Sequence, residues 1–182
     1  MIFAAVALVL IILTLGWCAR GDEAAKSSIS TGSAKGDAIV LFKHVTAIGA
    51  PCDAAMTNVA KAADSGDPVA AYRAADRAEN SCVTTGGDIK KLGIPASFDA
   101  KSRKSATDAI EACDASYLDK WIGARKLKDI IDGDTSISAQ AELEDLTQSI
   151  QQGTMLCGGG LAAVAGSLGA TDVDLGIAGG KK

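Results

Sequence analysis

The sequence has few aromatic residues and almost no histidine. Aromatic residues make up 4% of the 182 residues, His44 is the one histidine, and there are three prolines. A core with so few rings must be built mainly from Ala, Leu, Ile and Val, which favours closely approaching helices over a sheet sandwich. The composition therefore predicts an all-α fold.

The chain also lacks an excess of charge of either sign. It has 18 Lys and Arg against 22 Asp and Glu, for a net charge of −4. The basic clusters at residues 101–104 and 125–128 are interspersed with aspartates, as on a solvated helix face. This balance predicts no nucleic-acid partner.

Recognisable catalytic and cofactor motifs are missing as well. Residues 158–163 match the loose dinucleotide-binding pattern, but they continue a helical apolar stripe instead of following a strand, so they predict helix packing. Residues 132–143 begin like a calcium loop, but Ile137 and Leu143 stand where that loop needs Gly and Glu. We expect no enzyme, no metal and no bound cofactor.

What the chain does have is an uncharged apolar run at residues 2–17. As a helix it would reach roughly 24 Å, short of the roughly 30 Å membrane core but long for a signal peptide. Three fates are open: a transmembrane anchor, a signal peptide cleaved near residues 19–21, or a lipoprotein signal acylated at Cys18. Trp17 disfavours the last, because lipidation needs a small residue before the cysteine, whereas tryptophan suits a membrane interface. The run predicts contact with a membrane.

The composition changes along the chain and divides it into four segments. The apolar leader at residues 1–18 precedes a small, polar tether at 19–36. Residues 37–170 carry helical periodicity, and the Gly-rich tail at 171–182 is expected to be frayed or disordered.

The periodic segment predicts an up-down four-helix bundle. Its first helix begins near residue 37, and Pro51 is expected to kink it, because proline lacks a backbone donor and clashes with the preceding turn. Residues 65–68 end that helix and start the second. The third runs from about 98 to 131, and the last follows the turn near residue 135.

Four cysteines lie on the apolar stripes of the four helices, one on each. Cys52 lies 15 residues before the first turn and Cys82 lies 15 after it, so an antiparallel hairpin brings them to one level. Cys113 and Cys157 lie 22 residues before and after the last turn. The spacing predicts two disulfides, Cys52–Cys82 and Cys113–Cys157.

Two other states of these cysteines are open. They could be buried free thiols in a cytosolic bundle, since cysteine is among the most buried residue types. A zinc site is disfavoured because no two of them have the close spacing of a zinc motif. An exported chain meets an oxidising compartment, and an even set of cysteines there usually pairs.

These features predict a non-catalytic protein of the cell envelope, either membrane-anchored or periplasmic or secreted, whose bundle binds a protein partner. The alternative is a carrier of a small ligand or a non-covalently bound haem. Its cavity would be lined by His44, Tyr117, Trp121 and Met155.

The disulfides generate a first testable prediction. Closing loops of 30 and 44 residues should stabilise the fold by roughly 3 to 4 kcal/mol each in the chain-entropy model. Thermal melts with and without reductant measure this effect. A melting temperature that reductant leaves unchanged would contradict both bonds.

Overall fold

The computed structural model describes residues 30–134 and 136–177, and this part of the chain is an all-helical bundle without strands. In chain order its helices are α1 (Ala34–Asp64), α2 (Pro68–Ile89), α3 (Ala100–Ile131), α4 (Ile137–Ser167) and the short α5 (Asp172–Leu175). The predicted all-α class is confirmed. The leader at residues 2–17, Cys18 and most of the tether lie outside the described residues.

Side chains that accept backbone hydrogen bonds mark where the long helices begin. Asp67 caps α2 by accepting from the backbone N–H groups of Val69 and Ala70, with Pro68 at the first helical position. Ser33, Asp99 and Ser136 cap α1, α3 and α4, and α1 begins three residues before the predicted position. These contacts satisfy N–H groups that have no partner inside the helix, so they set the helix starts.

The four long helices pack in chain order, and α1 makes a smaller contact with α4. The Cys52–Cys82 disulfide joins α1 and α2, and the Thr85 hydroxyl donates to the Ile48 carbonyl oxygen at 3.2 Å. Thr85 follows Cys82 on α2, whereas Ile48 precedes Cys52 on α1. The two helices are therefore antiparallel. The up-and-down order of the whole bundle and a kink at Pro51 stay predictions, and α1 continues as helix past this proline.

The core between these helices is rich in alanine. Its most completely buried large side chains are Leu41, Val59 and Ile89. The same cluster contains the fully buried alanines Ala75, Ala78, Ala106 and Ala165. Because an alanine adds only a methyl group, helix axes can approach closely enough for cysteines to bond across them. The small-residue composition thus explains both the fold class and the disulfides.

α1 is the one described helix whose length and composition would allow it to cross a membrane. Its apolar side packs against α2, α3 and α4, and Cys52 on that side is bonded to α2. Burial in the bundle accounts for part of the apolar character of this helix, since 33% of its most apolar 18-residue stretch is buried.

A buried carboxylate fixes the end of the bundle at which α1 begins. Asp37 is 2% exposed and accepts hydrogen bonds from the Ser97 hydroxyl at 2.6 Å and from the Thr31 backbone N–H and hydroxyl. These donors hold the pKa of Asp37 below its usual value, against the opposing effect of burial. The carboxylate joins the segment before α1 to the loop between α2 and α3.

The start of the predicted frayed tail is ordered. Thr171 and Asp174 form a capping box at the start of α5, Leu175 is buried, and Lys35 forms an ion pair with Asp174 at 3.0 Å. The expectation of disorder is therefore wrong for residues 171–177. It missed that a single buried leucine and a capped turn can hold a glycine-rich segment against α1.

α3 and α4 approach each other most closely at two glycines of α4. A Cβ on Gly153 would lie 2.9 Å from the Ser116 Cβ, and one on Gly160 would lie 2.9 Å from the Ala109 Cβ. Real Cβ atoms do not approach so closely, so these positions require glycine. Gly160 lies in the segment that resembles a dinucleotide-binding motif, and its role in the structure is helix packing.

This packing predicts opposite effects for two glycine substitutions in α4. Gly153→Ala should lower the free energy of unfolding by about 1 to 2 kcal/mol, because the overlap with Ser116 outweighs the gain in helix propensity. Gly159→Ala, where a Cβ meets nothing within 4 Å, should raise it by about 0.5 to 1 kcal/mol. Denaturant unfolding with intact disulfides measures both. Equal effects of the two substitutions would contradict the close approach.

Candidate functional site

The most unusual polar group in the bundle is a cluster of three side chains that joins α1 to α3. The Lys120 Nζ donates to Asp53 Oδ1 at 2.6 Å, and the Tyr117 hydroxyl donates to Asp53 Oδ2 at 3.2 Å. The same Nζ lies 4.3 Å from the centroid of the Tyr117 ring. A charged pair and a cation–π contact thus share one site.

The cluster is buried on the α3 side and open on the α1 side. Lys120 and Tyr117 are 5% and 6% exposed, whereas the Asp53 side chain is 46% exposed. Asp53 directly follows Cys52, so the polar contact and the α1–α2 disulfide lie at one level of α1. The bundle therefore holds its buried ammonium at the same level as a covalent crosslink.

The sequence around the cluster leaves room for the tyrosine. A Cβ on Gly49 would overlap the Tyr117 hydroxyl, so α1 needs a glycine one turn before Asp53. This glycine is thus explained by close packing of α1 against Tyr117.

The tyrosine remains a hydrogen-bond donor over the whole physiological pH range. Burial of the ring, followed by the charge of Asp53 and the hydrogen bond to it, raises the pKa of Tyr117 well above its usual value. Asp53 accepts hydrogen bonds from both Tyr117 and Lys120, and its carboxylate neutralises the Lys120 ammonium. This arrangement is suited to holding two helices together, and it presents no free nucleophile.

The disulfides are present as the sequence predicts. Cys52 is bonded to Cys82 and Cys113 to Cys157, each with a Cα–Cα distance of 4.6 Å. The first three cysteines are 0% exposed and Cys157 is 8% exposed. Each bond crosses a hairpin, so α1–α2 and α3–α4 are two covalently closed units that pack through noncovalent contacts.

The structure does not gather the predicted ligand-binding residues into one polar site. Tyr117 belongs to the cluster with Asp53, Trp121 packs partly buried against the core, and His44 is partly buried on α1. Met155 is 67% exposed on α4. A ligand cavity lined by all four stays a prediction, and the outward position of Met155 argues against it.

Sequence reasoning missed Asp53 and Lys120 as partners. A signal was present, because Lys120 follows Tyr117 by one helical turn on the buried side of α3. A buried lysine needs a charged partner. Asp53, next to Cys52 on α1, is the partner of Lys120, but only the packing of α1 against α3 shows that the two meet.

A second candidate site is a groove between the beginning of α2 and the end of α3. Its volume is 280 Å³, and its lining consists of Pro68, Val69, Tyr72, Arg73, Ile131 and Asp132. We call this the end groove, because it lies at the end of the bundle that carries the α1–α2 and α3–α4 turns. The beginning of α1 is at the other end.

No group of three or more His, Cys, Asp or Glu side chains that could hold a metal ion occurs within residues 30–134 and 136–177. Comparison with protein families, curated proteins and solved structures finds no match to the chain. Function must therefore be inferred from the geometry of the described residues.

The cluster predicts an asymmetry between its two charged members. Asp53→Ala should lower the free energy of unfolding by about 2 kcal/mol, because it leaves the Lys120 ammonium buried without a carboxylate. This is less than for a fully buried pair, because water reaches Asp53. Lys120→Met should cost less than Asp53→Ala, since it removes the buried charge and keeps most of the side-chain volume.

Denaturant unfolding of the two variants measures this difference. The matched control is Asp108→Ala, which breaks an exposed ion pair with Lys104 and should leave stability unchanged. A larger loss for Lys120→Met than for Asp53→Ala would contradict the account of the cluster.

Proposed function

We propose that the chain is an exported, non-catalytic protein of the cell envelope whose up-down four-helix bundle presents a rigid surface to a protein partner. The leader at residues 2–17 either anchors it in a membrane or directs its export and is removed. In both cases residues 37–170 act in the periplasmic or extracellular space.

The observation that carries this proposal is the pair of buried disulfides between helices. Disulfides form and persist in oxidising compartments and are rare in the cytosol. Each of these bonds closes one hairpin in the core, so oxidation is part of how the fold is held together. The apolar leader supplies a route to such a compartment.

The polar contacts of the bundle support a binding role over a catalytic one. Asp53 neutralises Lys120, and Asp76 and Glu79 neutralise Lys128 at 2.7 and 2.9 Å. Ion pairs of this kind between helices fit a structural role. The surface also carries exposed apolar side chains, among them Val69, Val83, Leu118, Ile137, Met155 and Leu156.

Photocrosslinking in cells tests the proposal. A photoreactive amino acid replaces Val83, Leu118 or Met155 on α2, α3 and α4 of the full-length chain, and the control carries it at the exposed Lys101. We expect a discrete adduct with one envelope protein from at least one apolar position and none from the control. Recovery of only the chain itself from every position would contradict the role of partner binding.

A further inference from the structure

We propose that the end groove binds a second copy of this chain in a two-fold symmetric dimer, in which Arg73 of each copy pairs with Asp132 of the other. This inference goes beyond the proposed function, because it concerns self-association and is independent of export.

The shape of the end groove favours a protein side chain as its occupant. The groove is shallow and open to solvent, whereas pockets for small molecules enclose most of the ligand's surface. Its floor is apolar and aromatic, from Pro68, Tyr72 and Ile131, and Val69 beside it is 57% exposed. An exposed valine on the rim of an apolar groove can enter the same groove on another molecule.

The charges of the groove are complementary to each other and free to pair. Arg73 stands on the α2 wall and Asp132 on the α3 wall, and both are exposed. Within the described ranges neither side chain forms an ion pair or a hydrogen bond, with each other or with any other residue. One wall therefore offers a free cation and the other a free anion.

The neighbouring lysines at this end of the bundle differ from Arg73. Lys126 pairs with Glu142 at 2.7 Å, and Lys128 pairs with Asp76 at 2.7 Å and with Glu79 at 2.9 Å. Their charges are used inside the chain and are not available to another molecule. Arg73 and Asp132 are the two charged residues that line the groove, and both are available for an intermolecular contact.

A surface with one free charge of each sign on opposite walls is self-complementary. In a two-fold interface residue i of one copy meets residue j of the other, and residue j of the first meets residue i of the second. Two copies related in this way form two Arg73–Asp132 pairs and place each Val69 over the apolar floor of the other copy. A single foreign segment would need its own cation, anion and apolar side chain at matching positions.

The groove is lined by six residues, whereas a standard interface involves roughly 20 to 30 residues on each side. We therefore expect a reversible dimer that depends on concentration.

Charge reversal tests this dimer. The full-length chain in detergent is examined by sedimentation equilibrium over a range of concentrations, as wild type, as Arg73→Asp, as Asp132→Arg and as an equimolar mixture of the two variants. Each single variant faces its own like charges and should associate at least about tenfold more weakly than wild type. In the mixture every contact again joins opposite charges, so association should return to the wild-type level.

Two controls accompany the measurement. Lys43→Asp and Asp145→Arg reverse exposed charges outside the groove and should leave association unchanged, and melting temperatures check that all variants are folded. A monomeric wild type, full association of the single variants, or a mixture that fails to recover association would each overturn the proposal.

Discussion

The structure depends on the close approach of helices whose facing sides are lined with small residues. Alanines and glycines bring α1 against α2 and α3 against α4 to a Cα–Cα distance of 4.6 Å at the bonded cysteines. Larger side chains at these faces would hold the cysteines apart, because a disulfide requires Cα atoms within roughly 7 Å. The bonds in turn limit the conformational freedom of the unfolded chain, which compensates for a core with few large side chains.

No disulfide joins the two crosslinked hairpins to each other, so packing must fix their relative position. Contacts between α2 and α3 join them along their length, and the Asp53 contacts with Tyr117 and Lys120 cross from α1 to α3. An alanine-rich core specifies relative position weakly, since one methyl group resembles another. The buried Lys120 ammonium must reach the Asp53 carboxylate, so this pair can specify the position. We therefore infer that the cluster sets the register between the two hairpins.

The features that depend on local periodicity could be predicted from the sequence. The all-helical class, the turn at Asp67 and Pro68, and the pairing of Cys52 with Cys82 follow from spacing along the chain, because helical rise converts residue number into height. The diagonal contact of Asp53 with Lys120 could not be predicted, because it depends on how α1 and α3 face each other across the core.

Tertiary contact also explains where the prediction of disorder was wrong. Residues 171–177 have a composition typical of a mobile tail, yet Leu175 finds a buried position and Asp174 an ion pair with Lys35. The end groove could not be predicted from the sequence either, since Arg73 and Asp132 are 59 residues apart and line one groove only because α2 and α3 pack side by side.

The central claim is that the bundle works in an oxidising compartment with both crosslinks formed. The most direct test is thiol alkylation before and after reduction, read by intact and peptide mass on protein taken from the membrane and soluble fractions. The account predicts that Cys52, Cys82, Cys113 and Cys157 take up the reagent only after reduction. The intact mass also shows whether the leader was retained as an anchor or cleaved. Alkylation of these four cysteines without reduction, on a full-length chain, would place the bundle in a reducing compartment and contradict the account.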